Sequence, residues 1–286
     1  VPNAAALANM PGTGNTCSSY GNRNFWMYYW EWFGNPLGAN GSGEINNYYN
    51  SLGGASSALG AKLANRPCAS GASTCWQEYE GGLIVWSQAD GAWAVYKGAI
   101  YDAYMAAGGP MGWWGPPTSD DDPVTLTVPG AHRQNFKNVQ VVARPEGVYA
   151  IPRVLFTEYA NLLWVRGPLG WPVESGSCTG TQCVQTYENG VLASNNGTVV
   201  SVTGDLFDAY KAAGGVTGAW GTPIADVGSF TSPNGSGVKQ NFSAGQVLSS
   251  ASGLFLVPND LIPTWGTYDW IRGELGWPTS SFVCAG

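Results

Sequence analysis

The stretch GELGWPTSSFVCAG, residues 273–286, decides the fold although it stands at the very end of the chain. Its central part, LGWP, also occurs at residues 169–172, where it opens a longer unit. A chain that stops shortly after the start of its own repeat predicts that the rest of this unit lies at the other end of the sequence. The first task is therefore to find the other copies.

A large apolar residue followed by glycine, here called the anchor, recurs five times. The anchor glycines are Gly60, Gly115, Gly170, Gly221 and Gly276, at successive spacings of 55, 55, 51 and 55 residues. Four of the five anchors carry proline two residues after the glycine, and the first has Lys62 there. A period of this length indicates a repeat protein whose units bury their apolar faces against their neighbours.

Each copy contains the same succession of elements. An aromatic residue stands 17 to 21 residues after the anchor glycine, at Tyr79, Phe136, Tyr187 and Phe242. Short alternating apolar runs follow, as in residues 81–96, where SQADG predicts a turn between two strands. Helical segments that end at glycine come next, most clearly at residues 99–109 and 204–215 and more weakly at 44–54. The prediction is a loop, a hairpin and a short helix in every copy.

The cysteines follow the same period. Three of them lie eight residues after an anchor glycine, at Cys68, Cys178 and Cys284. Two others, Cys75 and Cys183, precede a repeat aromatic by four residues. Six cysteines permit 15 pairings, and an even count is typical of exported proteins. The offsets favour Cys68–Cys75, Cys178–Cys183 and Cys17–Cys284.

A Cys17–Cys284 bridge would join the two parts of a split fifth unit. We therefore predict a mainly β fold with short helices, built as a closed, propeller-like ring of five hairpin-plus-helix units. This single closed domain spans residues 17–286 and follows an N-terminal linker at 1–16. Closure of the ring removes the exposed strand edges that otherwise promote aggregation.

The composition excludes several classes of partner. The formal net charge is −7, which argues against nucleic acid or an anionic membrane as the main partner. No apolar run is long enough to cross a membrane, since the aromatic stretch at 24–33 is short and contains Glu31. The chain starts without an initiator methionine, so we expect a processed or excised piece of an extracellular protein.

The anchors also resemble a known family. LGWPVESG, LGWPTSS, WGPPTSDDD and WGTPIAD are similar to the LGFP repeat, and the resemblance extends over residues 17–286. LGFP repeats occur in exported actinobacterial proteins, notably as the C-terminal extension of mycoloyltransferases. The resemblance implies attachment to the mycolyl-arabinogalactan-peptidoglycan wall. The first anchor, LGAK, departs from the pattern because it lacks the proline.

We expect no catalytic site, metal or cofactor in this chain. The one histidine, His132, lies in a polar loop, and no G-x-S-x-G motif supplies a nucleophile. The repeat assigns Cys178 to a disulfide, and zinc would need several histidines or free cysteines. The acidic run at residues 120–122 lacks a calcium-loop motif. A pair of carboxylates for glycoside hydrolysis stays open, because the sequence does not show their distances.

The third anchor position varies most among the copies, as Ala61, Pro116, Trp171, Thr222 and Trp277. Such variation predicts a position that faces solvent or a ligand, whereas the large first position belongs in the core. Trp171 and Trp277 are therefore candidates for stacking on sugar rings, together with Trp113. The candidates for orienting hydroxyl groups are Thr118, Ser119, Asp120, Glu174, Thr279 and Ser280. The alternative is that these polar tails only form turns.

Three functional classes remain. The first is a monomeric module that binds cell-wall polysaccharide, arabinogalactan or peptidoglycan, and targets an attached catalytic domain to the wall. The second is a cell-surface scaffold for protein–protein interaction. The third is an uncharacterised carbohydrate-active enzyme.

Overall fold

The computed structural model describes residues 41–66, 68–124 and 128–280. The chain divides into two compact units, Val1–Tyr96 and Lys97–Gly286. In the first unit, helix α1 (Gly41–Ser51) packs on a three-stranded antiparallel sheet. Its strands are β1 (Thr74–Tyr79), β2 (Gly82–Ser87) and β3 (Gly91–Tyr96).

The second unit contains three four-stranded antiparallel sheets. Their strands are β4 (Asp122–Pro123), β5 (His132–Asn135), β6 (Val139–Arg144) and β7 (Gly147–Pro152), then β8 (Ser177–Thr179), β9 (Gln182–Tyr187), β10 (Gly190–Asn195) and β11 (Thr198–Thr203), then β12 (Gly228–Ser232), β13 (Gly235–Phe242), β14 (Gly245–Ser250) and β15 (Gly253–Pro258). The helices are α2 (Ala99–Ala106), α3 (Arg153–Asn161), α4 (Asp205–Ala212) and α5 (Ile262–Thr267). Within the described residues, a 3₁₀ turn follows each helix, at Gly54–Ser56, Gly109–Met111, Trp164–Arg166, Gly215–Thr217 and Trp270–Arg272.

These elements confirm the prediction of a mainly β fold with short helices. The SQADG turn lies between β2 and β3, and the predicted helices at 44–54, 99–109 and 204–215 correspond to α1, α2 and α4. The predicted hairpin is too small, however, because each sheet has three or four strands. The outer strands β4, β8 and β12 are short and largely exposed, so no apolar alternation marks them in the sequence.

The core of each copy lies between its helix and its sheet. The repeat aromatics Tyr79, Phe136, Tyr187 and Phe242 are all fully buried. In the second unit, α3 contacts β6 and β7 of the sheet before it as well as β9, β10 and β11 of the sheet after it. Each copy is too small to bury an apolar face alone, and a shared helix supplies the missing cover.

The ring closure lies outside the described residues. Cys17, Cys284 and the linker at 1–16 belong to the stretches 1–40 and 281–286, which the structure does not describe. The single closed domain of five units and its third disulfide therefore stay predictions.

Candidate functional site

The end of each helix is tied to the following anchor by the same hydrogen bond. A tyrosine hydroxyl donates to the carbonyl of the anchor glycine eleven residues later. The pairs are Tyr49–Gly60 at 2.7 Å, Tyr104–Gly115 at 3.1 Å, Tyr159–Gly170 at 2.8 Å and Tyr210–Gly221 at 2.8 Å. The fifth copy has Trp265 at this place, which has no hydroxyl. We call residues 53–61, 108–116, 163–171, 214–222 and 269–277 the turn–anchor segments, and the hydrogen bond holds the first four of them.

The anchor glycines are required by their backbone conformation. All five have φ between 61° and 72°, in the left-handed region that favours glycine. In three copies the next backbone N–H donates to a side chain that follows the repeat aromatic, namely Glu80, Glu188 or Ser243. The second copy has Pro116 there, which has no N–H to donate, and Lys137 takes the place of the acceptor.

In four copies a buried glutamine holds the anchor tail, defined here as the three residues after the anchor proline or Lys62, and the sequence analysis missed it. Gln77, Gln134, Gln185 and Gln240 lie two residues before the repeat aromatics, and all four are buried. Their side-chain amides donate to the tail carbonyls of Ala64, Ser119, Glu174 and Ala225, respectively. The recurring pattern Gln-x-aromatic was the signal that could have revealed them.

Two of these glutamines also connect successive sheets of the second unit. Gln185 Nε2 donates to the carbonyl of Ala150 in β7 at 3.2 Å, and the Ser175 hydroxyl accepts from the Ala150 N–H at 3.0 Å. In the next copy, Gln240 donates to the carbonyl of Ser201 in β11 at 2.8 Å, while Asp226 accepts from the Ser201 N–H at 3.1 Å. Polar residues of the anchor tail therefore act as structural links between neighbouring copies.

The third anchor position is not open to solvent where it carries tryptophan. Trp171 and Trp277 are each only 6% exposed, so the expectation that they present free rings was wrong. Trp171 lies beside Arg144 of the preceding sheet, whose guanidinium is 5.4 Å from the ring centre and forms a 2.9 Å ion pair with Glu188. Trp277 Nε1 donates to the carbonyl of Gly235 in β13. Both indoles fill the space between an anchor and the sheet before it.

The polar candidates divide into two groups. Ser119 is structural, because its hydroxyl accepts from the Asn135 N–H at 3.0 Å and donates to the carbonyl of Asp120 at 2.9 Å. The backbone N–H of Thr118 donates to the carbonyl of Asn135 at 2.8 Å, which joins the residues after the second anchor to the end of β5. The exposed side chains of Glu174, Thr279 and Ser280 face solvent instead.

Two other tryptophans do present their rings to solvent. Trp113 is 49% exposed and Trp270 is 48% exposed, and both lie in turn–anchor segments. The adjacent Trp114 is buried, as predicted for the first anchor position, and meets Trp113 edge to face at 6.2 Å. The same prediction was wrong for the fifth anchor, where Leu275 is 56% exposed. Trp113 is one of the three tryptophans that the sequence analysis named as candidates for stacking on sugar, whereas no feature of the sequence pointed to Trp270.

Non-glycine residues take left-handed backbone conformations at two helix ends. Three copies use a Gly-Gly pair here, as the sequence predicted, whereas the third copy has Leu163 and Trp164 at φ 66° and 56°. The fifth copy has Asp269 and Trp270 at φ 59° and 45°. A bulky residue in this region costs about 1–2 kcal/mol, so packing of each indole must compensate for the strain.

The two disulfides that lie within the described residues confirm the predicted pairing. Cys68 is bonded to Cys75, and Cys178 to Cys183. Structural disulfides of this kind are typical of exported proteins.

His132 lies 3.2 Å from Asp121 at the surface, with no nucleophile beside the pair among the contacts of the described residues. Burial raises the pKa of the Asp121 carboxyl, and its contact with His132 opposes that rise.

Within residues 41–66, 68–124 and 128–280, no cluster of histidine, cysteine and acidic residues is arranged to hold a metal ion. None of the helices in these ranges has the length and apolarity needed to cross a membrane.

One comparison with known proteins finds a family model that matches part of the chain. Residues 59–112, from the first anchor through the sheet of the first unit to the 3₁₀ turn after α2, match the model of the LGFP repeat. No curated protein matches the chain.

Proposed function

We propose that this chain, which contains an LGFP repeat at residues 59–112, is a non-catalytic module that binds cell-wall polysaccharide and anchors an attached enzyme to the wall. The observation that carries the proposal is the exposure of the Trp113 and Trp270 rings in equivalent segments of two copies. An indole face stacks well on the C–H face of a sugar ring. If both rings contact the same polymer, the chain binds that polymer more tightly than either ring alone would.

Arabinogalactan is the polysaccharide that we favour. The net charge of −7 suits a largely neutral glycan better than a phosphate-rich polymer, which the acidic surface would repel. The disulfides agree with an exported location, and the resemblance to mycoloyltransferase extensions suggests which kind of enzyme is attached. The closed ring of five units is part of this proposal.

The test is co-sedimentation of the oxidised chain with insoluble wall material. Intact mycolyl-arabinogalactan-peptidoglycan is compared with peptidoglycan from which arabinogalactan has been removed. We expect retention on the intact wall only, and about tenfold weaker retention for Trp113→Ala combined with Trp270→Ala. Equal behaviour on both materials would reject arabinogalactan as the ligand.

Met111→Ala is the matched control for these substitutions. Met111 is 73% exposed and lies two residues from Trp113, but it has no ring to stack on a sugar. If Met111→Ala weakens retention as much as the tryptophan variants do, general apolar adhesion rather than sugar stacking explains the binding.

A protein–protein scaffold is the second candidate function. Leu63, Val173 and Ile224 all lie three residues after an anchor glycine, and all three are exposed. Recurring aliphatic side chains at one repeat position favour contact with protein more than with sugar. Cross-linking in cells that captures one defined protein, lost on Val173→Ser and Ile224→Ser, would support this alternative.

A further inference from the structure

The second copy departs from the others at three positions, which carry Trp113, Pro116 and Lys137. Trp113 is 49% exposed and stands two residues before the anchor glycine. The other copies have no aromatic ring at that place, where they carry Ala58, Pro168, Ala219 and Glu274. The second copy is therefore the one that sets an indole at the surface directly before the first anchor position.

Pro116 releases the side chain at position 137 from a structural role. In the first, third and fourth copies, the corresponding side chain accepts a hydrogen bond from the backbone N–H that follows the anchor glycine. Proline has no N–H, so an acceptor at position 137 would have no donor. The second copy has Lys137 there, and within the part of the chain that the structure describes its ammonium has no hydrogen-bond or ion-pair partner. The fold of these residues does not use this charge.

The turn between β5 and β6 places Lys137 and Asn138 against the segment that bears Trp113. The Lys137 backbone N–H donates to the carbonyl of Pro116 at 2.9 Å. The aliphatic stem of Lys137 lies beside Gly115, since a Cβ atom on that glycine would be 3.0 Å from Lys137 Cβ. Asn138 Nδ2 donates to the carbonyl of Trp113 at 2.8 Å. An exposed ring, a cation and an amide therefore adjoin one another on the second copy.

Both polar side chains have hydrogen-bonding groups that the fold leaves free. Lys137 and Asn138 are exposed. The ammonium offers three donors, and the amide oxygen of Asn138 is an acceptor without a partner among the described residues. Ser119, which the sequence favoured for orienting a sugar, instead uses its hydroxyl within the fold. The side chains available beside Trp113 thus come from the β5–β6 turn and not from the anchor tail.

We propose that Trp113, Lys137 and Asn138 form a subsite for one neutral sugar ring of the wall polysaccharide, an inference that rests on the proposed function above. The Trp113 ring stacks on the C–H face of the sugar. The Lys137 ammonium donates to one sugar hydroxyl, and the Asn138 amide oxygen accepts from another. A sugar with neighbouring hydroxyls supplies both partners, whereas a purely apolar ligand would leave the two side chains unused.

Three substitutions and one control test the polar half of this subsite. Lys137→Met keeps the stem that packs beside Gly115 and removes the ammonium, while Lys137→Arg restores a cationic donor. Asn138→Ala introduces the residue that the fourth copy has at this position, Ala244. Lys97→Met removes another exposed lysine, in the loop before α2, and is the matched control. Thermal unfolding of each full-length variant checks that it is folded.

Binding is followed through the indole N–H signal of Trp113 in NMR spectra, which Trp113→Ala identifies by its loss. The probes are an arabinofuranose hexamer, a galactofuranose tetramer and a tetramer of alternating N-acetylglucosamine and N-acetylmuramic acid. We expect a furanose probe to shift the signal, with a dissociation constant that rises about tenfold in Lys137→Met and in Asn138→Ala. Lys137→Arg and Lys97→Met should keep the affinity of the unmodified chain. Because the ligand is neutral, added salt should not weaken its binding.

The outcomes separate this inference from the proposed function. If a furanose shifts the signal but binds Lys137→Met as tightly as the unmodified chain, the ring acts alone and the subsite is refuted. If the chain sediments with the wall while no probe shifts the signal, the subsite is refuted although wall binding stands. If the chain neither sediments nor responds, both ideas fail. Binding of the muramic-acid probe alone, weakened by salt, would show that Lys137 pairs with a carboxylate, which overturns the neutral sugar.

Discussion

The hydroxyl of Tyr159 donates a 2.8 Å hydrogen bond to the carbonyl of Gly170, and both residues are buried. The bond spans eleven residues and joins the end of α3 to the anchor that precedes the next sheet. A left-handed glycine turns its carbonyl away from the regular ladders, so a side chain has to satisfy it. The same solution recurs at Tyr49, Tyr104 and Tyr210.

Tyr159→Phe is therefore expected to destabilise the fold. The substitution leaves the Gly170 carbonyl buried without a donor, which costs about 1–3 kcal/mol of the free energy of unfolding. Urea denaturation of the oxidised chain measures the change, with the exposed Tyr268→Phe as control. A loss no greater than that of the control would show that water replaces the phenol.

Tyr79→Phe, in contrast, should leave the stability of the fold unchanged or raise it. The Tyr79 hydroxyl is buried and has no hydrogen-bond partner among the described residues. The second and fourth copies have Phe136 and Phe242 at the same position. We expect a free energy of unfolding that is unchanged or raised by up to about 1 kcal/mol in urea denaturation. A clear loss of stability would mean that the hydroxyl has a partner.

Alkaline pH should weaken the fold through the same tyrosine. Burial, with a smaller contribution from Tyr49, raises the pKa of Tyr79 to about 12 from the ordinary value of 10.0. Between these values the unfolded chain loses its proton while the folded chain keeps it, so stability falls as the pH rises from 10 to 12. Denaturation at pH 9 and pH 11 measures this loss, and Tyr79→Phe should lessen it. An identical loss in the variant would assign the effect to other tyrosines.

Gln240→Leu should weaken the link between the third and fourth copies. Gln240 Nε2 donates to the carbonyls of Ser201 at 2.8 Å and Ala225 at 2.9 Å, and the substitution leaves both without this donor. We expect a loss of about 2–3 kcal/mol, measured by urea denaturation. Gln182→Leu, which removes only a surface hydrogen bond to Asn195, is the matched control. Equal losses would show that the sheets do not depend on the buried amide.

The repeat period predicts one further covalent bond. Because Cys284 has the same offset from its anchor as Cys68 and Cys178, we expect Cys17 and Cys284 to be joined. Mass spectrometry of peptides from the unreduced chain should recover a 17–284 crosslink together with 68–75 and 178–183. Free Cys17 or Cys284 would contradict the split fifth unit.

Much of the fold was predictable because the same local pattern is repeated. Left-handed backbone at the anchor glycines, apolar alternation in the inner strands and glycine at the helix ends each have a strong local signal. The outer strands β8 and β12 carry no such signal, since they are exposed and pair only with a neighbouring strand.

The candidate site was harder to predict because it depends on neighbouring copies. The variation from Ala61 to Trp277 suggested exposure, yet the space at this position is set by the preceding sheet rather than by the copy itself. Trp277 fits because Gly237 leaves room for its ring. A position whose size is matched to a distant partner varies as freely as one that faces solvent, and a single sequence does not distinguish the two.

The shared position of Trp164 and Gly215 has a consequence for how such chains diverge. Trp164 has φ 56° and Gly215 has φ 60°, so the two copies share one backbone conformation, although this left-handed region strains tryptophan and not glycine. The scaffold therefore holds a tryptophan in one copy and a glycine in another at the same helix end. A copy of this repeat changes the side chain that it presents there without a change of backbone.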